Sequence, residues 1–429
     1  MSSTTSNGGS FAQRFRTKWM SRLLAPAALV ILIVFFSFAG RNFFSYTTLI
    51  NVLDASYYIG FLSIGVTFVI ITGGIDLSVG TVMACAALIG GTAHTTWGWS
   101  IPASLTLIMV VAIAFGVLNG LMVAKLKLPP FIATLGTMMI SMGVGSIVSN
   151  VRSASFPTRQ VPEGRFKNLF KIITDDFQLI PTGAIILIAA VVIAHVILTR
   201  TKMGRYIFAI GSNKEAVRLS GVKVERWEMS AYIVSGVFAG IGGIAFAAVF
   251  TTLTPAGGQG FELFAIAGAV IGGTSLAGGV GSVFGTLIGV FIMSTLRTGL
   301  PSVGLQSHYQ TFFTGVVVIG AVLLDIYRTN RASQVKVLTP ADRYRVEMQQ
   351  KIEQARKRKA QASGSGDTAA AAKVEEEIAH LKQELRHTYA QMRRREKSEA
   401  ARQAAAERKN EHEIEKLASD TPDLVKSPE

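Results

Sequence analysis

Cysteine and charge are both scarce in this chain. One of its 429 residues is a cysteine, and 16% of them are charged. The lone Cys85 excludes a disulfide framework and a cysteine-rich metal site within one chain. A charged fraction this low, beside 49% hydrophobic residues, is not that of a soluble domain. The composition therefore predicts an integral membrane protein.

Residue patterns that bind nucleotides or metals are missing as well. No Gly-x-x-x-x-Gly-Lys-Ser/Thr loop, whose backbone amides and lysine would hold phosphates, occurs in the sequence. The glycine-rich stretch 278–285 has no lysine and begins an apolar segment, which favours helix packing. The six histidines have no metal-ligand spacing. We expect no catalytic residue, no cofactor and no metal, so any energy source must be external.

What the chain has instead is a series of long apolar runs. About ten of them are long enough to cross a bilayer as helices. The first run follows a basic arm and lacks a cleavage site, so we expect an anchored helix and a cytoplasmic N-terminus. An even number of spans returns the C-terminus to the cytoplasm, in a multi-pass protein of the cytoplasmic (inner) membrane. The runs lie near 23–39, 54–72, 79–95, 101–124, 131–150, 181–199, 229–250, 263–277, 281–297 and 308–326.

The net charge of +15 does not require a nucleic-acid partner. The basic residues concentrate in the N-terminal arm, between the spans and in the tail, which suits the positive-inside rule. The predicted topology places the basic stretches 125–127 and 200–228 inside, as the rule requires. It places 151–180 outside although this segment is also basic, which runs against the rule. Membrane lipid, and no nucleic acid, is the expected surrounding of the chain.

Carboxylates are rare in the spans, and their positions help to distinguish an ion gradient from a partner ATPase as the energy source. Ion and proton carriers place carboxylates near the middle of the membrane. The candidates in this sequence, Asp54, Asp76, Glu262 and Asp325, lie near span ends. The pattern disfavours an ion gradient and favours a partner ATPase. An ion-coupled carrier and a membrane scaffold that presents the tail are the alternatives.

The stretch ITGGIDLSVG (71–80) places an acid between two spans. We expect two glycines to end one helix and Asp76 or Ser78 to cap the next, whose free N–H groups favour an oxygen acceptor. The span count puts this break at the cytoplasmic end. A flexible break at this end of the span can also serve as a gate or hinge, and this role is compatible with the cap. The motif consists of Gly73, Gly74, Asp76, Ser78 and Gly80.

The stretch SNKEAVRLSGVKVERWE (212–228) predicts a short polar helix between two spans. Ser212 or Asn213 can cap its start, Glu215 lies in the first turn, and Gly221 stops it. A rigid cytosolic helix can transmit the movement of a docked protein to the membrane helices. An inert connecting loop is the alternative interpretation.

Four stretches in order resemble the monosaccharide ABC-importer permease family, which includes ribose, xylose, arabinose and galactose permeases. They are ITGGIDLSVG, LNGLMVAKLKLPPFIATLGTMM (118–139), GRYIFAIGSNKEAVRLSGVKV (204–224) and AIAGAVIGGTSLAGGVGSVFGTLIG (265–289). The resemblance covers roughly residues 20–328. It implies an all-α polytopic membrane fold similar to the vitamin B12 importer type of ABC permease.

The resemblance also implies partners and a reaction. The chain is expected to be the permease subunit through which a pentose or hexose is imported, with ATP hydrolysed by two cytoplasmic ABC ATPase subunits. A second permease subunit, identical or paralogous, and an extracytoplasmic sugar-binding protein complete the implied assembly. Glu215, Ala216 and Gly221 match the coupling loop on which the ATPase docks. Relatives of this family also carry nucleosides, inositol or signalling sugars, and the sequence does not choose among these.

A pathway for a neutral polyol needs scattered hydrogen-bonding groups with weak binding. Asn119, Thr134 and Thr137 are candidate lining residues, although such side chains in membrane helices often bond to neighbouring helices instead.

A second sequence pattern is an internal echo, in which 73–80 and 272–279 share the frame Gly-Gly-x-x-Leu-x-x-Gly. Matched glycine breaks in two halves are typical of a translocation path, and chance similarity is the alternative.

The composition divides the chain into a cytoplasmic arm (1–22), a transmembrane domain (23–328) and a charged cytoplasmic tail (329–429). The sequence of the tail predicts a charged helix near 341–361, a flexible stretch at 362–367 and a second helix. In that second helix apolar residues recur at spacings of four and three, which fits either a short coiled coil with a partner or a single solvated helix. These residues are Val374, Ile378, Leu381 and Leu385.

Overall fold

The computed structural model describes residues 8–159, 161–173, 179–333, 340–364, 372–396 and 398. Regular structure in these ranges is almost entirely helical. A π-helical turn, Leu121–Lys125, continues α4, a 3-10 helix covers Pro162–Leu169, and the strands β1 (Ile172–Ile173) and β2 (Leu179–Ile180) pair antiparallel. The α-helices are α1 (Gly8–Ala39), α2 (Tyr46–Ile71), α3 (Val79–Thr95), α4 (Ile101–Gly120), α5 (Pro130–Val148), α6 (Gly183–Arg200), α7 (Lys202–Ser212), α8 (Lys214–Leu219), α9 (Val224–Val249), α10 (Phe261–Ile271), α11 (Val283–Ser302), α12 (Ser307–Ser333), α13 (Pro340–Gly364) and α14 (372–396).

Seven helices of the described chain are long and apolar enough to cross a membrane. They are α2, α4 with its π-helical turn, α5, α6, α9, α11 and the part of α12 from His308 to Tyr327. Three shorter apolar helices, Leu24–Ala39, Val79–Thr95 and Phe261–Ile271, coincide with the other three predicted runs. An all-α polytopic membrane protein is therefore confirmed, and the number of ten spans stays a prediction.

Several predicted boundaries differ from the structure: α1 already begins at Gly8 rather than near 23, α9 begins at Val224 rather than near 229, and two further boundaries are wrong for local reasons. The helix expected at 54–72 begins at Tyr46, because Ser45 caps it by accepting a hydrogen bond from the N–H of Thr48 at 3.2 Å. The helix expected at 263–277 ends at Ile271, because Gly273 has a φ of 94° and the chain turns there.

Helix α2 forms the centre of the membrane domain. Its side chains from Ala55 to Ile71 are all buried, and α6, α9, α10 and α11 pack around it. Glycines allow α4 and α9 to approach closely, since a Cβ on Gly116 would lie 2.9 Å from the Cα of Gly236. Large apolar side chains are instead exposed on α1, α5, α6 and α12, as expected for helices that face lipid. Examples are Phe38, Ile140, Ile147, Ile185, Ile188, Phe312 and Ile319.

Residues 331–429 belong to a second compact unit, in which α13 and α14 pair as a helical hairpin. The apolar seam of α14 packs on Ile352 and Ala355 of α13, so the seam pairs within the chain. Ion pairs flank it, including Arg358–Glu377 at 3.0 Å. The seam is therefore neither the single solvated helix nor the coiled coil with a partner that the sequence left open, because it pairs within the chain. The stretch predicted to be flexible, 362–367, lies partly outside the described residues.

Candidate functional site

The segment 72–78 joins α2 to α3 through a tight turn. The N–H groups of Gly73 and Gly74 donate to the carbonyl oxygens of Ile70 and Val69, at 2.9 and 3.2 Å. This pattern closes a helix C-terminus. Gly73 has a φ of 82°, a left-handed conformation that side chains with a Cβ rarely adopt. The two glycines therefore end α2 as the sequence predicted.

Asp76 lies in this segment and is 2% exposed. Its Oδ1 accepts hydrogen bonds from the N–H and the hydroxyl of Ser78, at 3.0 and 2.7 Å, and its Oδ2 accepts one from the hydroxyl of Ser235 at 2.8 Å. No ion pair involves Asp76 among the described residues. The carboxylate thus holds Ser78, the residue directly before α3, while neither Asp76 nor Ser78 caps an N–H within the helix as predicted.

The depth of Asp76 differs from the expectation of a break at the end of the spans. Ser235, its partner, lies 11 residues after Val224, the first residue of α9. At 1.5 Å per residue this is about 16 Å along the helix. Gly65 of α2 packs at the same level, since its Cβ would lie 3.0 Å from the Cα of Ser235. The segment 72–78 therefore turns back into the bundle before α3 begins.

The three predicted lining residues lie beside this segment. The amide of Asn119 donates to the hydroxyl of Ser78 at 2.8 Å, and the hydroxyl of Thr137 donates to the Asn119 carbonyl oxygen at 2.6 Å. The hydroxyl of Thr134 lies 3.4 Å from the carbonyl oxygen of Ile75. All three side chains are buried and bond across to neighbouring segments. Their contact with a substrate stays a prediction.

Two residues of α9 that the sequence did not single out complete the network. Ser235 donates to Asp76, and the hydroxyl of Tyr232 lies 3.4 Å from the carbonyl oxygen of Ile75. Tyr232 also closes over Gly74, whose Cβ would lie 2.7 Å from the tyrosine oxygen. Both are polar side chains in an otherwise small and apolar stretch of a span, which is the only signal that could have drawn attention to them.

The end of α10 has the same turn as the end of α2. The N–H groups of Gly273 and Thr274 donate to carbonyl oxygens three and five residues earlier, at 2.9 and 3.0 Å. The carboxylate that holds the following segment comes from α12, because Oδ2 of Asp325 accepts from the N–H of Leu276 at 2.9 Å. The sequence echo thus coincides with two similar helix ends, each followed by a segment fixed by a carboxylate.

The segment that follows α10 and the last residues of α7 both contact the end of α2. The N–H of Gly279 donates to the carbonyl oxygen of Ile71 at 2.9 Å. A Cβ on Gly211 would lie 1.8 Å from the same oxygen, so only glycine fits there. The last residues of α7 are therefore in direct contact with the start of the segment that carries Asp76.

Helix α8 covers Lys214–Leu219, close to the predicted boundaries. The side chain of Asn213, rather than Ser212, caps it by accepting from the N–H of Ala216 at 2.9 Å. Glu215 lies in the first turn and pairs with Arg218 at 3.1 Å, and both side chains are exposed. Gly221 ends the turn with a φ of 80°. Of the predicted coupling residues, Glu215 and Ala216 therefore lie on this exposed, capped helix, and Gly221 lies in the turn that follows it.

The inner face of α8 is anchored to its neighbours. Val217 packs with Ile210 of α7 and Val224 of α9 in a small apolar cluster. Lys214 pairs with Glu228 of α9 at 2.8 Å. These contacts join α7, α8 and the start of α9 into one connected piece.

The family model described as "Branched-chain amino acid transport system / permease component" matches residues 48–322. The chain belongs to this permease family. It is 37% identical to the ribose import permease of Escherichia coli K12 over 73% of this chain and 96% of that protein. It is 35% identical to the ribose import permease of Bacillus subtilis, over 71% and 93% of the two chains, and 33% identical to the galactose/methyl galactoside import permease of Salmonella typhimurium, over 72% and 94%. No solved structure matches the chain.

The expectation of a permease subunit of a sugar-importing ABC system is thereby confirmed. The matched range includes the Asp76 segment, α8 and the end of α10, so the sites described above belong to the part that the permease shares with its family. The hairpin of α13 and α14 lies beyond it. The functional roles of the residues named above stay predictions.

Proposed function

We propose that this permease passes a pentose or hexose through the cytoplasmic membrane, driven by ATP that a partner subunit hydrolyses. The observation that carries the proposal is the likeness, at 32–37% identity, to permeases named for ribose, galactose, fructose and xylose, each matched over at least 85% of its length. The nature of the polar network around Asp76 supports a neutral substrate. Its members are hydroxyl and amide groups, with one carboxylate whose oxygens are already occupied.

An amino acid is the second candidate, because the family model carries branched-chain amino acids in its description. Its ammonium and carboxylate would call for charged partners in the pathway. Vesicles loaded with ATP and containing the permease with its ATPase, with the sugar-binding protein added outside, would be offered radiolabelled ribose, xylose, galactose, fructose and leucine. Uptake of a sugar and not of leucine is the expected result. Uptake of leucine alone would contradict the proposal.

The energy source is tested in the same vesicles. We expect uptake to require internal ATP and the partner ATPase, because the permease sequence has no nucleotide-binding loop of its own. We expect it to persist with an ionophore, because the carboxylate of Asp76 is held by hydrogen bonds. Uptake that collapses with the ionophore and ignores loss of the ATPase would instead indicate an ion-coupled carrier.

A mechanical path for the coupling follows from contacts near α8. An ATPase that docks on the exposed Glu215 face would move α7 and α8 together, because Val217 and Lys214 tie α8 to its neighbours. Gly211 would pass that movement to the carbonyl oxygen of Ile71 and on to the segment 72–78. Gly73 can absorb a change in backbone direction there. In this proposal the segment around Asp76 acts as a hinged gate.

The complete transporter would contain two permease subunits, identical or paralogous, with two ATPase subunits and an extracytoplasmic sugar-binding protein. Its fold would resemble that of the vitamin B12 importer permease, with ten spans and both termini in the cytoplasm. Cysteine-accessibility labelling at α8 and at the 151–159 segment tests this orientation. Both sites reacting from the same side of the membrane would contradict it.

A further inference from the structure

Arg297 is a cation within a membrane-spanning helix, α11, and aromatic rings surround it. Its guanidinium carbon lies 4.9 Å from the ring centroid of Phe261, 5.4 Å from that of Phe264 and 5.8 Å from that of Tyr58. The three rings come from α10 and α2, so three helices of the domain converge on one charged group. Contacts of this kind attract a cation to the faces of the rings.

Among the residues that the structure describes, no acid forms an ion pair with this arginine. Within the part of the chain that the structure describes, its guanidinium has no ion-pair or hydrogen-bond partner, and neither does the hydroxyl of Tyr58. The acid adjacent to Phe261 in sequence, Glu262, is occupied elsewhere, because both of its oxygens accept from the N–H of Gly260, at 2.9 and 3.0 Å. A guanidinium has five N–H donors, so this half-buried side chain has unused hydrogen-bonding capacity.

Arg297 and the three rings lie apart from the Asp76 segment along the helix bundle. Helix α11 begins beside Ile71, since a Cβ on Gly281 would lie 2.6 Å from that side chain. Arg297 is 14 residues beyond Val283, the first residue of α11, which is about 21 Å further along the helix. Asp76 lies at the level of Gly65, six residues and about 9 Å from Ile71. Arg297 and the rings around it are thus about 12 Å beyond the proposed gate, on the side away from α8.

Arg297 lies five residues before the end of α11, and a charged side chain on a membrane-spanning helix usually has a functional role. We propose that Arg297, with Phe261 and Phe264, forms a weak binding site for the transported sugar on the side of the gate that faces away from α8, while the buried ring of Tyr58 supports them from within the bundle. The guanidinium donates to sugar hydroxyls, and the half-buried rings of Phe261 and Phe264 cover the apolar C–H face of the sugar. A site with a few donors on an apolar surface orients a polyol and still lets it leave. This inference rests on the proposed function.

The test compares sugars that differ by one hydroxyl. ATP-loaded vesicles with the complete transporter would take up radiolabelled ribose, 2-deoxyribose, 3-deoxyribose or 5-deoxyribose, with wild-type permease or with Arg297→Gln. We expect the substitution to lower ribose uptake by about tenfold or more, the factor that a hydrogen bond to a charged group is worth. It should lower uptake of the analogue that lacks the bound hydroxyl far less. Selection by the binding protein cancels, because both permease variants receive sugar from the same protein.

Three further variants keep the outcome clear. Arg297→Lys retains the cation over the rings but loses the fork of donors, so it should fold like the wild type and recover ribose uptake only in part. Arg200→Gln makes the same change at the exposed end of α6 and should leave the ratios of the sugars unchanged. Phe264→Leu should slow all the sugars, because it removes a stacking surface without removing a donor. Membrane abundance and the thermal unfolding temperature are measured for each variant.

The outcomes separate the site from the function. A loss of the same factor for all four sugars with Arg297→Gln, or full recovery of ribose uptake with Arg297→Lys, would assign the arginine a purely structural role and overturn the inference. Absence of uptake of any sugar by the wild-type transporter would overturn the proposed function itself and the inference with it.

Discussion

Replacing Asp76 with asparagine or with leucine separates the hydrogen bonds of this carboxylate from its charge. Asparagine keeps one oxygen for the N–H and the hydroxyl of Ser78, which now lie 3.0 and 2.7 Å from Oδ1. The hydroxyl of Ser235 can rotate to accept from the new amide. We therefore expect Asp76→Asn to fold, at a cost of about 1 kcal/mol for the weaker, uncharged hydrogen bonds, and to retain partial uptake.

Leucine removes every acceptor at this position. The N–H and hydroxyl of Ser78 and the hydroxyl of Ser235 would all lose their partner in a buried site. At about 1–3 kcal/mol for each unsatisfied donor, the loss is roughly 3–9 kcal/mol, enough to unfold a protein of ordinary stability. Ser235→Ala is a matched control, since it removes one of the three donors and should lie between the two substitutions of Asp76.

The assay is thermal unfolding of the purified variants in detergent, together with uptake at equal membrane abundance. The expected order of unfolding temperatures is wild type, Asp76→Asn, Ser235→Ala and Asp76→Leu. If Asp76→Asn unfolds like the wild type yet abolishes uptake, or if wild-type uptake changes steeply with the titration of Asp76, the charge itself is required. A role in proton movement would then replace the hinge.

The local signals in the sequence located α8 and the end of α2 well. Both depend on residues whose effect is confined to a few neighbours: Asn213 caps one end of α8, Gly221 stops the other, and Gly73 closes α2. The positions of apolar helices followed from length and hydropathy in the same way. These features need no knowledge of what packs against them.

The remaining features depend on partners that are distant in the sequence. Ser235 meets Asp76 across 159 residues, and the depth of the break follows from that contact rather than from any local motif. Arg297 shows nothing unusual until Phe261 and Tyr58 are placed beside it. The seam of α14 fits two kinds of packing in the sequence, and the structure shows a third, the pairing with α13 of the same chain.

Three further predictions concern coupling, packing and the tail. Glu215→Lys and Gly221→Pro should leave the permease in the membrane but prevent co-purification of the ATPase. The lysine reverses the favourable interaction of an acid with the positive start of α8, and proline cannot adopt the φ of 80°. Normal uptake with both variants would remove α8 from the mechanism. Gly116→Leu should abolish folded protein on size-exclusion chromatography, since a Cβ alone would lie 2.7 Å from a carbonyl oxygen of α9, whereas Gly136→Leu, with no atom near its Cβ, should not. Truncation after Arg331 should preserve ATP-dependent uptake, and the isolated tail should show helicity by circular dichroism that is independent of concentration, because its seam is already buried within the hairpin. Helicity that rises with concentration would mean instead that the seam pairs between chains, and loss of uptake at equal abundance would assign the tail a regulatory role.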